Sequence, residues 1–289
     1  MMDKYFDDGH TRAKALKNRG PIRFERDGTL SRDISDAYSE YGFYIFESVL
    51  ASDELADIKA DVEHILNRAP VQKNAESDLS GNTPLGFGCE APTFFWAPPL
   101  SDPFGATDAA GGRHPVKMPE PKAEKGVTDE AIFLILGSLQ FSNACLRTYG
   151  HPQLLRVAEA INGSDFTPFN EALFIKKPGI GASVAWHQDG LTHWDSEDFD
   201  EGTHGFNFMA QLYGSTARNG VWVVPGTHRL GKMDIKEMVN LAGTEYLPDA
   251  VPMVCGPGDV VISNRQLVHG SFANTSKDER VTVNFGFHR

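Results

Sequence analysis

His187, Gln188 and Asp189 form an H-x-D triplet, a further histidine stands at His269, and Arg280 follows eleven residues after it. On a β-strand successive side chains alternate between faces, so the imidazole of His187 and the carboxylate of Asp189 point one way and Gln188 the other. His269 can supply a second imidazole. Two histidines and one carboxylate on one side of an octahedral metal leave the opposite side open, which suits Fe(II) that must hold a co-substrate and dioxygen. Zinc is more often closed by a fourth ligand or left with a single open position. Isolated H-x-D triplets are common, so the reading depends on the elements that carry these residues.

From Asn170 onward the sequence consists of short runs rich in β-branched and aromatic residues, at 171–177, 183–187, 206–213, 221–224, 259–263, 267–272 and 280–287. Pro178-Gly179, Asn219-Gly220, Pro225-Gly226 and Pro257-Gly258-Asp259 punctuate them as turns. Such spacing predicts a sandwich, jelly roll or barrel. His187 and Asp189 then end one strand, His269 lies on another, and Arg280 opens the last. Period two carries Thr282 and Asn284 onto the face of Arg280, with Val281, Val283 and Phe285 opposite.

The first part of the chain reads differently. A short helix over 34–40, a strand at Gly42–Phe46 and a helix from Ser52 are expected, the last with Leu55, Ile58, Val62, Ile65 and Leu66 on one stripe. Helix is also expected over 129–150 and 153–161. Between them, 70–127 is rich in Gly, Pro, Asn and Ser, and a long irregular stretch in a compact domain is either disordered or a functional lid. Its aromatic island, Phe94, Phe95 and Trp96, favours that role. The expected organisation is one domain over 1–289, a helical part at 1–165 followed by a jelly-roll core at 166–289.

Bulk properties narrow the partners. A net charge of -12 repels phosphate backbones and anionic lipid, so neither nucleic acid nor membrane is expected, and the partner is read as a small molecule. The charged start lacks a signal-peptide core, and the longest apolar run, 131–139, falls well short of the roughly 20 residues that span a bilayer, so a cytoplasmic location is expected. Three widely spaced cysteines make no disulfide framework.

Taken in order, F-I-K-K-P-G (174–179), W-H-Q-D-G (186–190), N-G-V-W-V-V-P-G-T-H-R (219–229), G-D-V-V-I (258–262), H-G-S (269–271) and Arg280 resemble the phytanoyl-CoA dioxygenase family of Fe(II)/2-oxoglutarate oxygenases. The resemblance covers 170–289 and, more loosely, the N-terminal helices. It implies a double-stranded β-helix (cupin-like jelly roll) core with flanking helices. It also implies that His187, Asp189 and His269 ligate Fe(II), and that 2-oxoglutarate and dioxygen are co-substrates. The expected activity is C–H hydroxylation coupled to conversion of 2-oxoglutarate into succinate. A halogenase would lack a carboxylate at Asp189. Many relatives carry tryptophan on the third barrel strand, where this chain has Met209.

Arg280 suits the distal carboxylate of 2-oxoglutarate, since a guanidinium grips a carboxylate through paired hydrogen bonds. Its alternative is a surface ion pair with Asp278 or Glu279. Ser271, Asn170, Thr282 and Asn284 are further candidates for the co-substrate, and His193 and Trp194 join the aromatic island as candidates for the substrate. His228, in P-G-T-H, reads as structural. For the substrate itself the signals conflict: the acidic stretch 195–201 could attract an amine, whereas Arg113, Lys117 and Arg147 could receive a carboxylate or phosphate. A silent jelly-roll binding module and a zinc hydrolase remain as other classes.

Overall fold

The computed structural model describes residues 2–189 and 204–289. Its helices are α1 (Met2–Ala15), α2 (Arg32–Tyr41), α3 (Ser52–Asn67), α4 (Asn143–Tyr149), α5 (Pro152–Asn162) and α6 (Ile235–Ala242). The strands are β1 (Arg19–Gly20), β2 (Phe43–Phe46), β3 (Phe94–Ala97), β4 (Ala131–Ile135), β5 (Thr167–Lys176), β6 (Val184–His187), β7 (Gly205–Gln211), β8 (Trp222–Val223), β9 (Val251–Pro252), β10 (Val260–Asn264), β11 (His269–Ser271) and β12 (Arg280–His288). They form an eight-stranded sheet in the order β1-β2-β10-β7-β12-β5-β4-β3 and a four-stranded sheet in the order β6-β11-β8-β9. The mainly β architecture agrees with the strand spacing, and its two sheets with the double-stranded β-helix that the family resemblance implied.

Alternation along each strand of the large sheet divides core from site. Phe206, Phe208 and Ala210 of β7, Val260 and Ile262 of β10, and Val281, Val283, Phe285 and Phe287 of β12 face one way. They pack against Ile34 of α2, Ile58, Val62 and Ile65 of α3, Cys145 of α4, and Leu154 and Val157 of α5. A fully buried aromatic or aliphatic side chain contributes about 2 kcal/mol, so this layer is the main clamp on the sheet. The intervening residues, Asn207, Met209 and Gln211 on β7 and Arg280, Thr282 and Asn284 on β12, point toward the small sheet, and most of them are polar. The outer face of the small sheet is covered by α1 and α6 around Phe6, Trp186, Trp222, Ile235 and Phe272.

Three departures from the sequence reading have local causes. The stretch expected to be helical from 129 begins instead as β4, because the run Ala-Ile-Phe-Leu-Ile pairs on both sides, Leu134 with Phe174 and Phe94 with Ile135. A short apolar run does not distinguish buried strand from buried helix by period alone. Phe94, Phe95 and Trp96, expected within an irregular lid, form β3, the edge strand of the large sheet. Finally, α1 and α6 join the fold although their sequences gave no expectation of helix. In α1, Tyr5 stacks on Trp222 with ring centroids 4.7 Å apart, and Gly9 leaves room for the same indole.

Candidate metal centre

His187 and His269 are direct cross-strand partners in the antiparallel pairing of β6 with β11, and their ring centroids lie 4.1 Å apart. Each Nδ1 sits against a backbone carbonyl two residues earlier, Ala185 at 2.8 Å and Leu267 at 2.9 Å. A carbonyl only accepts, so each Nδ1 carries the proton and each Nε2 presents a lone pair. His187 Nε2 is 3.6 Å from Asp189 Oδ1, and one donor atom from each of His187, Asp189 and His269 lies within 4.8 Å of the others. No other such group occurs among the described residues.

The intervening Gln188 points away and locks the turn. Its amide nitrogen donates to the carbonyls of Gly231 and Gln266, and its oxygen accepts from Met233 N. Asp189 N donates to Arg265 O at 2.9 Å, and Asn207 Nδ2 donates to Asp189 Oδ2 at 2.9 Å. The guanidiniums of Arg113 and Arg265 each lie 3.9 Å from this carboxylate.

Ionisation follows from these contacts. Burial by itself would raise the Asp189 carboxyl, but the contact with His187 and the charges of His269, His187 and Arg265 outweigh it and hold Asp189 well below the usual range. Burial first, then His187, pushes His269 down to about 4. At neutral pH the site therefore offers an ionised carboxylate and a neutral imidazole, the forms a metal requires.

A cavity of about 230 Å³ opens beside the triad and is lined by His187, Asp189, His269, Ser271, Asn170, Arg280, Thr282 and Asn284. The structure thus gathers every residue assigned from sequence to the metal and to the co-substrate around one space. Arg280 is buried at 3% exposure, which removes the surface ion-pair alternative. Its Nη1 donates to Asn219 O at 2.9 Å, its buried Nε has no hydrogen-bond partner among the described residues, and burial pushes its pKa down to about 10. A buried guanidinium without a carboxylate partner is costly, and a bound dicarboxylate would supply that partner. Thr282 Oγ1 donates to Gln211 Oε1, while Leu134, Phe174, Val184, Met209 and Val221 complete apolar walls. The donor set and this orphaned arginine fit Fe(II) with a keto diacid better than a closed zinc site.

The substrate candidates fare differently. Phe94, Phe95 and Trp96 line a separate surface hollow with Pro70 and Phe87 and do not line the triad's cavity. His193, Trp194 and the acidic stretch 195–201 lie outside the described residues. His228 Nε2 meets Ser39 O at 3.1 Å, a structural contact.

Sequence reasoning missed His114 as a neighbour of the centre. This buried imidazole lies 4.1 Å from His187, ring to ring, and stacks on Phe104 at 5.1 Å. Burial, then the charges of His187 and Arg113, push its pKa down to about 2. A buried Asp102 positions it: Oδ1 accepts from Gly105 N, Oδ2 accepts from Met118 N, and Asp102 N donates to Glu120. The segment 102–118 is thereby tied into a loop that carries Arg113 and His114 to the triad. No period or familiar motif marks these residues in the sequence.

Comparison with known proteins agrees with this geometry. The chain is 25% identical over 197 residues to L-proline trans-4-hydroxylase of Streptomyces griseoviridis, covering 60% of this chain and 72% of that protein. It is 30% identical over 113 residues to Phytanoyl-CoA dioxygenase 1 of Oryza sativa subsp. japonica, covering 36% of this chain but only 38% of that protein. The crystal structure of EctD from S. alaskensis with bound Fe superposes with a TM-score of 0.62 at 19% identity, covering 92% of this chain and 79% of that one, a likeness of fold. The phytanoyl-CoA dioxygenase (PhyH) family model matches residues 38–282. The chain therefore belongs to the phytanoyl-CoA dioxygenase family of Fe(II)- and 2-oxoglutarate-dependent oxygenases.

Proposed function

We propose that this oxygenase hydroxylates a C–H bond of a small molecule, with His187 Nε2, His269 Nε2 and the Asp189 carboxylate holding Fe(II). The observation that carries the reading is the placement of Arg280 in the cavity that the three metal donors line. When bound, Fe(II) with 2-oxoglutarate and dioxygen supplies the oxidising power, converting 2-oxoglutarate to succinate and carbon dioxide as oxygen enters the substrate.

The chain's own part is to position and to exclude water. Arg280 grips the distal carboxylate of 2-oxoglutarate from a site where burial strengthens the contact. Thr282, Ser271, Asn170 and Asn284 give the cavity its polar lining, and Phe174, Met209 and Val221 are part of its apolar wall. The Ala185 and Leu267 carbonyls hold both imidazoles in the ligating tautomer. Asp189 occupies a position that halide would otherwise take, which favours hydroxylation over halogenation. A relative that is an L-proline hydroxylase is consistent with this outcome.

Anaerobic addition of Fe(II) and 2-oxoglutarate is expected to give a weak visible charge-transfer absorption that Asp189→Ala abolishes. With a turned-over substrate, one oxygen atom from labelled dioxygen is expected in the product and one in succinate. Succinate release without label in the product would replace hydroxylation by another oxidation, such as ring closure. A protein that shows no absorption and hydrolyses esters with zinc would replace the reading altogether.

A further inference from the structure

Three basic residues were candidates for an anionic substrate, and the structure separates them. Arg147 is paired with Asp57 at 2.7 Å and Lys117 with Glu120 at 3.2 Å, both toward solvent. Arg113 alone of the three turns inward. Its Nε donates to Ala110 O at 2.9 Å, and Nη1 stops 3.9 Å from Asp189 Oδ1, too far for a hydrogen bond. Among the described residues its terminal nitrogens have no hydrogen-bond partner, and its side chain is 19% exposed.

The arginine is also held in place. The next residue, His114, is wedged between Phe104 and His187, and the loop is closed by Asp102. Arg113 stands where this loop borders a cleft of about 470 Å³, whose walls are 111–115 on one side and 232–236 on the other. Lys232 and Lys236 also line the cleft. Asp234, the one acid there, is occupied in capping α6 by accepting from Glu237 N at 2.9 Å. In a chain of net charge -12, a cleft of this sign beside the metal triad runs against the average.

We propose that the substrate carries a carboxylate or phosphate that docks on Arg113, with the remainder of the molecule lying along the cleft between 111–115 and 232–236. This deepens the hydroxylase reading and rests on it. When a dication takes the charge of Asp189, the Arg113 guanidinium 3.9 Å from it keeps its terminal donors for a ligand. An anion placed there is bound by charge-assisted hydrogen bonds, and a cationic amine is repelled.

The test uses the anaerobic Fe(II)- and 2-oxoglutarate-loaded protein with hexanoate, hexyl phosphate and hexylamine as probes, read by equilibrium dialysis. At least one anion is expected to bind more tightly than hexylamine, and whichever binds names the group. Arg113→Met is expected to weaken that anion by about tenfold or more, the value of a charged hydrogen bond. Arg113→Lys should recover part of the loss, and Arg147→Met should lose nothing. Equal or tighter binding of hexylamine, or an anion affinity that Arg113→Met leaves within twofold, would overturn the proposal. The visible absorption of the loaded wild-type protein separates the two readings: its absence sinks the hydroxylase assignment, whereas its presence without anion preference sinks only this inference.

Discussion

The ring of His114 lies 4.1 Å from that of His187, so a residue from the middle of an irregular segment buttresses the proposed metal site. Groups that orient a ligating histidine typically carry about 10- to 100-fold of metal affinity. His114→Ala is therefore expected to weaken Fe(II) binding by about 10-fold in an anaerobic titration. His114→Phe keeps a flat ring against His187 and should restore most of it. Wild-type affinity in the alanine variant would show that this ring contact does not support His187.

Arg280 is expected to govern the co-substrate and not the metal. Arg280→Met should raise the apparent KM for 2-oxoglutarate by roughly 30-fold, the loss of about 2 kcal/mol from a charged hydrogen-bonded pair. Fe(II) affinity measured without 2-oxoglutarate should stay within a factor of a few. Arg280→Lys should fall between, because a point charge replaces a planar fork. A co-substrate KM that ignores all three side chains would remove Arg280 from the site.

How much of this was legible depended on whether a residue sat on a regular element. His187 and Asp189 could be paired because period two fixes which side chains of one strand share a face, whereas His269 and Arg280 joined them through the ordered motifs that resemble the family. Arg113, His114, Asn207 and Arg265 could not. Arg113 and His114 reach the triad through a loop folded around Asp102, and a loop held by one buried carboxylate leaves no periodic trace. Asn207 was hidden differently: it lies on a strand recognised as such, but its meeting with Asp189 depends on which strands pair across the barrel. The strand formed by the aromatic island was not legible, because composition could not show that β4 would take it as an edge partner.

That edge placement gives a direct check. Trp96 packs in part against the core behind the large sheet and is not among the residues that line the metal cavity. Trp96→Ala is expected to cost stability, about 2 kcal/mol for a half-buried aromatic, seen as a lower urea midpoint. Turnover and the KM values for substrate and 2-oxoglutarate should be unchanged once the protein is folded. A selective rise in the substrate KM would return the island to the active site.

Acid should loosen the fold in a defined window. His204 Nδ1 lies 2.7 Å from Asn162 Oδ1, and its Nε2 faces the Tyr38 hydroxyl at 3.1 Å and Asn264 Nδ2 at 3.3 Å. Burial, then the charge of His228, lowers its pKa from 6.5 to about 4. Between those values the unfolded chain binds a proton that the folded one refuses, so stability is lost as pH falls from 6.5 toward 4, up to about 3 kcal/mol from this residue. His269 and His114 are displaced in the same direction. His204→Gln should therefore reduce the slope of unfolding free energy against pH by about one proton without abolishing it. An identical slope in the variant would mean that His204 titrates normally in the fold.

Because His187 and His269 face each other as partners across two antiparallel strands, the donor set exists in one alignment of those strands only. A shift by a single residue would turn one imidazole to the far side of the sheet. An ion captured between them thus acts as a proofreader of the small sheet, rewarding the correct pairing and leaving every slipped alternative without its stabilisation.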